Sequence, residues 1–410
     1  MSEYASYLQW IDSQHETMCR LVSEWGGINS GSNNILGLNR MAQAIRPLLA
    51  EMGETRQLDL PPRRIIDDRG QERETPLGPA LHAAWRGAGA KLRIFLGIHF
   101  DTVYEADHPF QKVEKIDAAT LRGPGVTDAK GGLVVLLTAL SAVRRSPWAD
   151  RLSLEVLLNP DEELGSAGSA ELLAECGRRN DIGLVFEPAL PDGDFVSNRK
   201  GSSNLTVVVR GRAAHVGRDY AAGRNAIHAL AQFVVDAASI PDALPGVVVN
   251  IGNIQGGGPI NVVPDLAICR LNLRAQTEGE QSEARQMIEH LVEKMSRRDG
   301  IVASLHITSQ CPPKPLDGVT LALLEAASAC AQELGLKKIG WQPSGGVSDG
   351  NRLAAVGLAT LDTLGACGGN IHSSDEFIRL DSLVERARLA ALLLMKLASG
   401  EVTIPSKERV

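Results

Sequence analysis

Two histidines and four acidic residues stand directly after apolar runs or inside glycine-rich loops, where side chains can converge on a ligand. They are His99, Asp128, Glu162, Glu163, Glu187 and His372. Imidazole and carboxylate groups are ordinary zinc ligands, and five such side chains with one shared carboxylate suffice for two ions. Glu162 is then left over beside a ligand, the place for a general base that takes a proton from a bridging water. The pattern predicts metal-assisted hydrolysis.

Each of these residues also has a simpler explanation. The acids of 161–163 could begin a helix, where negative charge suits the dipole. Asp128 could cap a helix, and Glu187 could form a salt bridge. His99 and Asp101 form a weak motif when taken alone, although Asp101 would point to the same side and could accept the ring's other N–H. Only the joint occurrence of these residues favours a metal site.

The residues that precede these side chains predict a buried sheet. Continuous apolar runs are typical of strands buried on both faces of a parallel or mixed sheet, and they occur at 93–98, 153–158, 182–186 and 358–361. Because the carboxyl ends of such strands meet at one edge, we expect the candidates to lie close together. Helices are predicted at about 3–24, 38–52, 319–334 and 382–397, and a hairpin or irregular connection at about 60–80.

After Gly193 the sequence predicts a different arrangement of strands and helices. Strands and helices then follow in the order βαββαβ, at 205–209, 225–239, 247–254, 266–273, 281–295 and 302–308. This order resembles a self-contained ferredoxin-like sandwich inserted into a main α/β domain. We therefore expect a first catalytic segment over 1–197, an inserted domain over 198–310 and a second catalytic segment over 311–410.

Composition argues against several classes of function. The 410 residues carry a formal net charge of −7 with acids and bases intermixed, so no basic stripe is available for nucleic acid. The six cysteines are scattered and are expected to be reduced core thiols rather than disulfides or a thiolate metal site. The first residues lack a signal-peptide pattern, and no apolar run reaches membrane-spanning length. We expect a soluble, cytoplasmic protein without a nucleic-acid or membrane partner.

Six motifs occur in order between about residues 90 and 380: His99-x-Asp101, Gly-x-x-Asp128-x-Lys-Gly-Gly, Asp161-Glu162-Glu163, Glu187-Pro188, Gly-Arg-Ala-Ala-His215 and His372-Ser-x-Asp-Glu. The set resembles the dinuclear zinc aminoacylase and carboxypeptidase family, which includes glutamate carboxypeptidases, acetylornithine deacetylase and succinyl-diaminopimelate desuccinylase. The resemblance implies an α/β fold, with a zinc-peptidase-like catalytic domain whose central mixed sheet is flanked by helices. It also implies that the inserted ferredoxin-like α+β domain is a lid and dimerisation domain.

The resemblance further implies a ligand set for two zinc ions. His99, Asp128 and Glu187 would surround one ion, and Asp128, Glu163 and His372 would surround the other. Other divalent metals such as Co²⁺ or Mn²⁺ could take the place of zinc.

Three further residues receive catalytic roles from the resemblance. Asp101 would orient His99, and Glu162 would act as general base and then as proton donor to the leaving amine. His215 matches a lid histidine that reaches the active site of the partner subunit in a homodimer and stabilises the oxyanion. Without the family, His215 would be taken for an exposed loop histidine.

The sequence around 361–365 and 369–373 is most similar to the glutamate carboxypeptidase branch. In that branch the position of Arg274 holds the substrate's carboxylate, a task that suits a planar guanidinium, although Arg274 could also be a surface charge. Asn261, Lys200 and Gly346 are further candidate substrate contacts. The run 365–367 departs from the small Gly-Pro-Gly-like sequence of many members, so the resemblance does not define the local shape of the pocket.

The predicted activity is hydrolysis of an amide or peptide bond next to a free carboxylate by a zinc-bridged water. The substrate would be a small N-acyl amino acid or a short peptide. An N-acyl amino-acid deacetylase is the alternative among enzymes. An inactive zinc-binding scaffold is a more distant alternative, and the complete set of ligands and base argues against it.

Overall fold

The computed structural model describes residues 3–405 and contains two main sheets, each with its own helices, and three smaller sheets. The helices are, in chain order, α1 Ala5–Asp12, α2 His15–Gly26, α3 Ile35–Ala50, α4 Gly132–Arg145, α5 Ala170–Arg179, α6 Val216–Asp219, α7 Ala226–Ala238, α8 Ile240–Ala243, α9 Glu278–Ser296, α10 Gly318–Glu333, α11 Asp349–Ala355 and α12 Leu380–Ser399. The strands are, in chain order, β1 Glu54–Leu58, β2 Arg63–Ile66, β3 Glu72–Thr75, β4 Ala80–Arg86, β5 Leu92–His99, β6 Glu114–Lys115, β7 Thr120–Arg122, β8 Leu152–Asn159, β9 Ile182–Val185, β10 Phe195–Arg199, β11 Gly201–Arg210, β12 Val248–Gly256, β13 Leu266–Ala275, β14 Val302–Cys311, β15 Trp341–Ser344, β16 Thr360–Leu361, β17 Gly368–Gly369 and β18 Phe377–Arg379.

The central sheet has the strand order β1-β4-β8-β5-β9-β16 and is mixed. Strands β8, β5, β9 and β16 run parallel to one another, whereas β4 is antiparallel to β8 and β1 is antiparallel to β4. The inner strands are the apolar runs of the sequence, and in β5 every residue from Ile94 to His99 is buried. The predicted mixed sheet is confirmed, although the strand expected at 358–361 contains only two residues.

Helices cover both faces of this sheet. On one face α4 and α12 pack together with α1, α2, α3 and α10 in the largest hydrophobic core. On the other face α5 and α11 cover a smaller core around Phe95, Leu157 and Leu173. The stretch Val126–Arg145, which ends with α4, is long and apolar enough to cross a membrane, but it is mostly buried, as expected for a core helix.

The helix predicted over 3–24 is divided in the structure. Helix α1 ends at Asp12 and α2 begins at His15. Between them the Ser13 hydroxyl donates a hydrogen bond to the carbonyl of Trp10 at 2.6 Å. A serine side chain that bonds to nearby backbone competes with the helical pattern, which explains why apolar periodicity alone predicted one continuous helix.

The second sheet lies within residues 201–311, which we call the inserted unit, and the rest of the chain is the main unit. Its antiparallel order is β12-β13-β11-β14, and α7 and α9 cover one face. The element order β11-α7-β12-β13-α9-β14 is the predicted βαββαβ. The chain crosses between the units where Arg199 N donates to Lys314 O at 2.9 Å and Lys314 N donates to Arg199 O at 3.0 Å. The domain boundaries at 197/198 and 310/311 remain predictions.

The hairpin of β2 and β3 connects the two units a second time. It lies on the face of the inserted sheet that carries no helix, where Ile66 packs against Val208 and Ile268. Arg270 Nη2 donates to Ile66 O at 3.1 Å and to Asp68 Oδ1 at 3.0 Å. The segment for which the sequence predicted a hairpin or irregular connection is therefore a hairpin with an anchoring role.

Candidate metal centre and active site

Three strands of the central sheet deliver candidate ligands to one edge. His99 is the last residue of β5, the acids of Asp161–Glu163 follow β8, and Glu187 follows β9. Because these strands are parallel neighbours, their carboxyl ends lie together. Asp128 comes from the turn before α4, and His372 from the glycine-rich loop after β17.

The five predicted ligands form two clusters that share Asp128. In the first cluster His99 Nε2 lies 3.2 Å from Asp128 Oδ1 and 3.7 Å from Glu187 Oε2. In the second cluster His372 Nε2 lies 3.2 Å from Asp128 Oδ2 and 3.2 Å from Glu163 Oε2. Within each cluster the three ligand atoms lie within 4.8 Å of one another. The structure therefore brings all five side chains together, with Asp128 in the middle.

The electrostatics of both clusters favour positive charge. Burial raises the pKa of the Glu163 carboxyl to about 7, and the negative charge of Asp128 acts in the same direction. Hydrogen bonds to Asp128 and Glu163 raise the pKa of His372 to about 11. Burial opposes protonation of His99, but the charge of Glu187 and other carboxylates raise its pKa well above the ordinary value. The surroundings of both histidines thus favour a positive charge, which bound metal ions would also supply.

The donor atoms fit divalent metal ions. Glu187 Oε1 is buried, and within residues 3–405 nothing donates a hydrogen bond to it. A buried acceptor without a partner costs about 1–3 kcal/mol, and coordination of a metal would remove that cost. Imidazole and carboxylate are ligands for zinc, and they also accept cobalt and manganese.

Glu376 holds the turn that presents Asp128. This buried carboxylate accepts hydrogen bonds from Gly125 N at 3.0 Å, Thr127 N at 2.9 Å and Asp128 N at 3.0 Å. Consecutive N–H groups that point at one carboxylate form an anion-binding concavity, so the charge of Glu376 stabilises the turn. Glu376 is the last residue of the sixth sequence motif. No role could be predicted for it, because its partners lie about 250 residues earlier.

Asp101 connects the buried histidine to the acidic loop. Its Oδ1 lies 3.3 Å and its backbone carbonyl oxygen 3.1 Å from His99 Nδ1, so both oxygens of this residue can orient the ring. The same carboxylate accepts hydrogen bonds from Glu162 N and Glu163 N, both at 3.2 Å, and from Ser32 Oγ at 2.7 Å. Asp101 therefore also positions the loop of the predicted base, which the sequence did not indicate.

Glu162 lines the cavity into which the two clusters open, but it belongs to neither cluster. Burial and the negative charge of Glu187 raise the pKa of its carboxyl group well above the ordinary value. A half-buried carboxyl group beside metal ligands that holds a proton readily is suited to general acid–base chemistry.

The clusters open into a cavity of about 430 Å³ between the two units. The main unit contributes an apolar wall that includes Leu190, Val196 and Ile371. The inserted unit contributes a polar wall formed by Ser202, Asn204, Asn272, Arg274 and Ser309. A substrate in this cavity would therefore contact both units at once.

Two arginines line the cavity and differ in their partners. Arg199 is buried and pairs with Asp362, with Nε 2.6 Å from Oδ2, an oxygen that Lys314 Nζ also approaches at 3.7 Å. Arg274 forms no ion pair with any residue that the structure describes, and its Nε donates to Asn272 Oδ1 at 2.8 Å. Arg274 is thus the arginine whose charge is available to a ligand, and Asn272 orients it.

The other predicted substrate contacts have different surroundings. Gly346 lines the cavity, as expected. Lys200 does not line it, because its Nζ is directed towards Gly246 O at 3.4 Å. His215 and Asn261 are exposed neighbours in the inserted unit, outside the lining of this chain's cavity. The prediction that His215 acts in a partner subunit is compatible with this exposure.

Sequence comparison identifies a family and relatives. The model of peptidase family M20/M25/M40 matches residues 95–396. The chain is 26% identical over 318 residues to carboxypeptidase G2 from Pseudomonas sp., covering 77% of this chain and 76% of that protein. It is 32% identical over 306 residues to succinyl-diaminopimelate desuccinylase from Alkalilimnicola ehrlichii, covering 70% and 78% of the respective chains.

Solved structures share the fold. Aminopeptidase PepT from Bacillus cereus superimposes with a TM-score of 0.70 at 20% identity, covering 94% of this chain and 99% of that one. Human carnosine dipeptidase 1 superimposes with a TM-score of 0.72 at 17% identity, covering 97% and 100%. At this level of identity the likeness concerns the fold alone, and it extends over both units.

Proposed function

The chain belongs to peptidase family M20/M25/M40 and is a metal-dependent hydrolase, and we propose that it cleaves an amide or peptide bond beside a free carboxylate. The observation that carries the proposal is the pair of clusters around Asp128 with Glu162 half-buried beside them. Arg274 in the same cavity supports the carboxylate requirement. The substrate would be a small N-acyl amino acid or a short peptide.

Two zinc ions are the proposed cofactor, with Co²⁺ or Mn²⁺ as substitutes. Each cluster would hold one ion, and Asp128 would contact both. Bound ions polarise a carbonyl oxygen and lower the pKa of coordinated water, so that hydroxide is available near neutral pH. The protein contributes a ligand set that is already assembled, because Glu376 and Asp101 hold the loops of the ligands in place.

Glu162 would accept a proton from the attacking water and deliver it to the nitrogen of the leaving amine. Its raised pKa is appropriate for a group that must hold the proton between these two transfers. The hydrogen bond from its own backbone N–H to Asp101 limits how far the side chain can move from the clusters.

Arg274 would bind the free carboxylate of the substrate. A guanidinium group matches a carboxylate in geometry, and the hydrogen bond to Asn272 fixes the plane of the group. Gly346 lies in the same cavity and could contact the substrate backbone. The recognised end of the substrate would then lie on the inserted unit and the reacting bond on the main unit.

A homodimer formed through the inserted unit would bring His215 and Asn261 to a second active site. Strand β12 is an edge strand of the inserted sheet and exposes Val248 and Ile254, with exposed fractions of 47% and 55%. Exposed apolar side chains on an unpaired strand edge favour pairing with another chain. His215 would then stabilise the oxyanion in the partner's cavity.

Glu162→Gln tests the proposed reaction. The variant should keep its metal content and lose hydrolysis of N-acyl amino acids and dipeptides by at least about a hundredfold, because an amide cannot take the proton. Glu283→Gln on the exposed face of α9 is the control and should be unchanged. Activity of Glu162→Gln within about tenfold of the unaltered protein would contradict the role.

His215→Ala tests the action across the dimer. This variant and Glu162→Gln should each be inactive, and mixing them under conditions of subunit exchange should restore activity at the sites that combine intact residues. Restored activity requires His215 to act in the partner subunit. If no activity returns although mixed dimers form, His215 does not act there.

A deacetylase of N-acyl amino acids is the second candidate, favoured by the 32% identity to a desuccinylase. A panel with C-terminal glutamate amides, other dipeptides and acetylated amino acids separates the two. Preferred cleavage of the glutamate amides supports the carboxypeptidase-type activity, and preferred cleavage of acetylated amino acids supports the alternative.

A further inference from the structure

A second group of metal-type donors lies outside the cavity and shares no residue with the clusters described above. It consists of His82 on β4, Glu155 on β8 and Cys176 on α5, whose ligand atoms lie within 4.8 Å of one another. His82 Nε2 is 2.9 Å from Glu155 Oε1, and Cys176 is buried. One imidazole, one carboxylate and one thiol form a donor set that zinc accepts.

Rigid elements hold these three donors. Strands β4 and β8 are paired with Ala84 opposite Glu155 and Leu157 opposite His82, so His82 and Glu155 are diagonal neighbours on one face of the sheet. Helix α5 packs on the same face through a small core that contains Leu157 and Cys176. The three donors therefore meet because of the sheet register and the packing of the helix, and flexible loops play no part.

A cationic group already contacts two of the three donors. Arg179 Nη2 lies 2.8 Å from Glu155 Oε1 and 3.4 Å from Cys176 Sγ. The Arg179 side chain is half exposed, and its Nη1 lies 3.4 Å from Glu175 Oε2 on the same helix. The guanidinium can thus turn towards solvent and keep an ion pair with Glu175, which would free the position between the oxygen and the sulfur.

The surroundings provide access and support for an ion. A cavity of about 730 Å³ is lined by all three donors, so water can complete the coordination of an ion. Asn180 Nδ2 donates to Glu155 Oε2 at 2.6 Å and holds the carboxylate from its other side. Metal sites commonly use such outer hydrogen bonds to orient their ligands.

We propose that His82, Glu155 and Cys176 form a third metal site for Zn²⁺ or a similar thiophilic divalent cation, with water as the fourth ligand. Binding moves Arg179 aside and releases the thiol proton of Cys176 to solvent, so one metal ion enters and one proton leaves. Without metal the thiol keeps this proton, because burial raises its pKa to about 12. The inference does not depend on the proposed hydrolytic function.

An ion bound to these three donors would link α5 to strands β4 and β8 of the central sheet. Helix α5 begins directly after Ser169, whose hydroxyl donates to Asp161 Oδ1 at 2.6 Å in the acidic loop. The third site would therefore stabilise the support of the active site from the far end of α5, without contact with the substrate.

Titration of the full chain with Co²⁺ tests the site directly. The dinuclear clusters contain only nitrogen and oxygen donors, so a near-ultraviolet thiolate-to-cobalt charge-transfer band reports binding at a cysteine outside them. We expect this band with a third equivalent of Co²⁺, and its loss in Cys176→Ser and in His82→Ala. Cys330→Ser, another buried cysteine in α10, is the control and should retain the band.

Arg179→Ala provides a test by gain of binding. Removal of the competing cation should tighten Co²⁺ binding at the third site about tenfold or more, since like charges a few ångströms apart repel strongly. Arg178→Ala, an exposed neighbour paired with Glu171, should leave the affinity unchanged. The proposal is overturned if the band never forms, if it persists in Cys176→Ser, or if Arg179→Ala does not tighten binding.

Discussion

The two clusters around Asp128 have the same kinds of donors but different supports. In the first cluster, His99 and Glu187 follow neighbouring strands of the central sheet and are buried. In the second cluster, His372 belongs to a loop, and 52% of its side chain is exposed. His372 and Asn370 also have left-handed backbone, with φ of 61° and 54°. One half of the centre thus depends on the sheet, and the other half depends on a loop conformation.

This difference indicates how the two ions should behave. At the first position all three ligands, His99, Asp128 and Glu187, are buried. The second position has an exposed ligand and can lose it by a local movement of the loop, because local opening requires less free energy than global unfolding. We expect an ion at the second position to exchange more readily.

Asp128→Ala should have the largest effect, because it removes the ligand that the clusters share. Both ions should be lost, and kcat/KM should fall by about a thousandfold or more, since metal ions contribute several kcal/mol to such reactions. Metal analysis together with kinetics measures this. Asp107→Ala, an exposed acid, is the control. If Asp128→Ala still binds two ions, the shared-ligand arrangement is wrong.

Alanine in place of His372 or of His99 should affect the release of one ion only, and a different ion in each variant. With a chelating dye, the unaltered protein should release its two ions in two phases that differ about tenfold in rate, a barrier difference of about 1.4 kcal/mol. His372→Ala should lose the fast phase, whereas His99→Ala should lose the slow one. If the fast phase survives in His372→Ala, the ion that exchanges quickly is not the one held by His372.

Glu376→Gln should weaken metal binding at both clusters, because Glu376 holds the turn that presents Asp128. The amide brings N–H donors to a place where three backbone N–H groups already need acceptors, so metal affinity should fall by about 10–100-fold. Unfolding should become easier by about 1–3 kcal/mol. Metal titration and thermal unfolding measure these changes. Glu385→Gln in α12 is the comparison, and equal effects from both variants would show that the turn does not depend on Glu376.

Asn370→Val should have the smallest effect, and this effect should be confined to metal binding at the cluster of His372. A β-branched residue in left-handed backbone costs about 1–2 kcal/mol, and this cost would destabilise the present conformation of the loop that carries His372. The ion in the fast phase should bind more weakly, and the slow phase should be unchanged. Asn370→Gly tolerates this backbone and should behave like the unaltered protein, so a loss of binding there would point to the asparagine side chain instead.

Much of the centre could be predicted because its ligands follow buried strands. An apolar run that ends in His99, in the acids of 161–163 or in Glu187 already indicates where a sheet edge places charged side chains. The order of elements in the inserted unit was equally visible, because its strands and helices have clear and separate periodicities.

The supporting contacts could not be predicted, because they depend on packing between distant parts of the chain. Nothing near Glu376 indicates that it receives the N–H groups of the turn at 125–128, and nothing near Lys200 indicates that it turns towards Gly246. Cys176 was expected to be an ordinary core thiol, since its two potential co-ligands lie on other elements. Register and helix packing bring such groups together, and neither leaves a short motif in the sequence.

The hairpin of β2 and β3 has a mechanical consequence. If the inserted unit rotates to open the cavity and leaves the hairpin behind, Ile66 becomes exposed and the bonds of Arg270 break. A rotation that carries the hairpin along avoids both losses and adds bending of the chain only at the short stretches on either side of 63–75. Opening would then displace a strip of the main unit together with the inserted unit, and the moving body would be larger than the inserted sheet and its two helices.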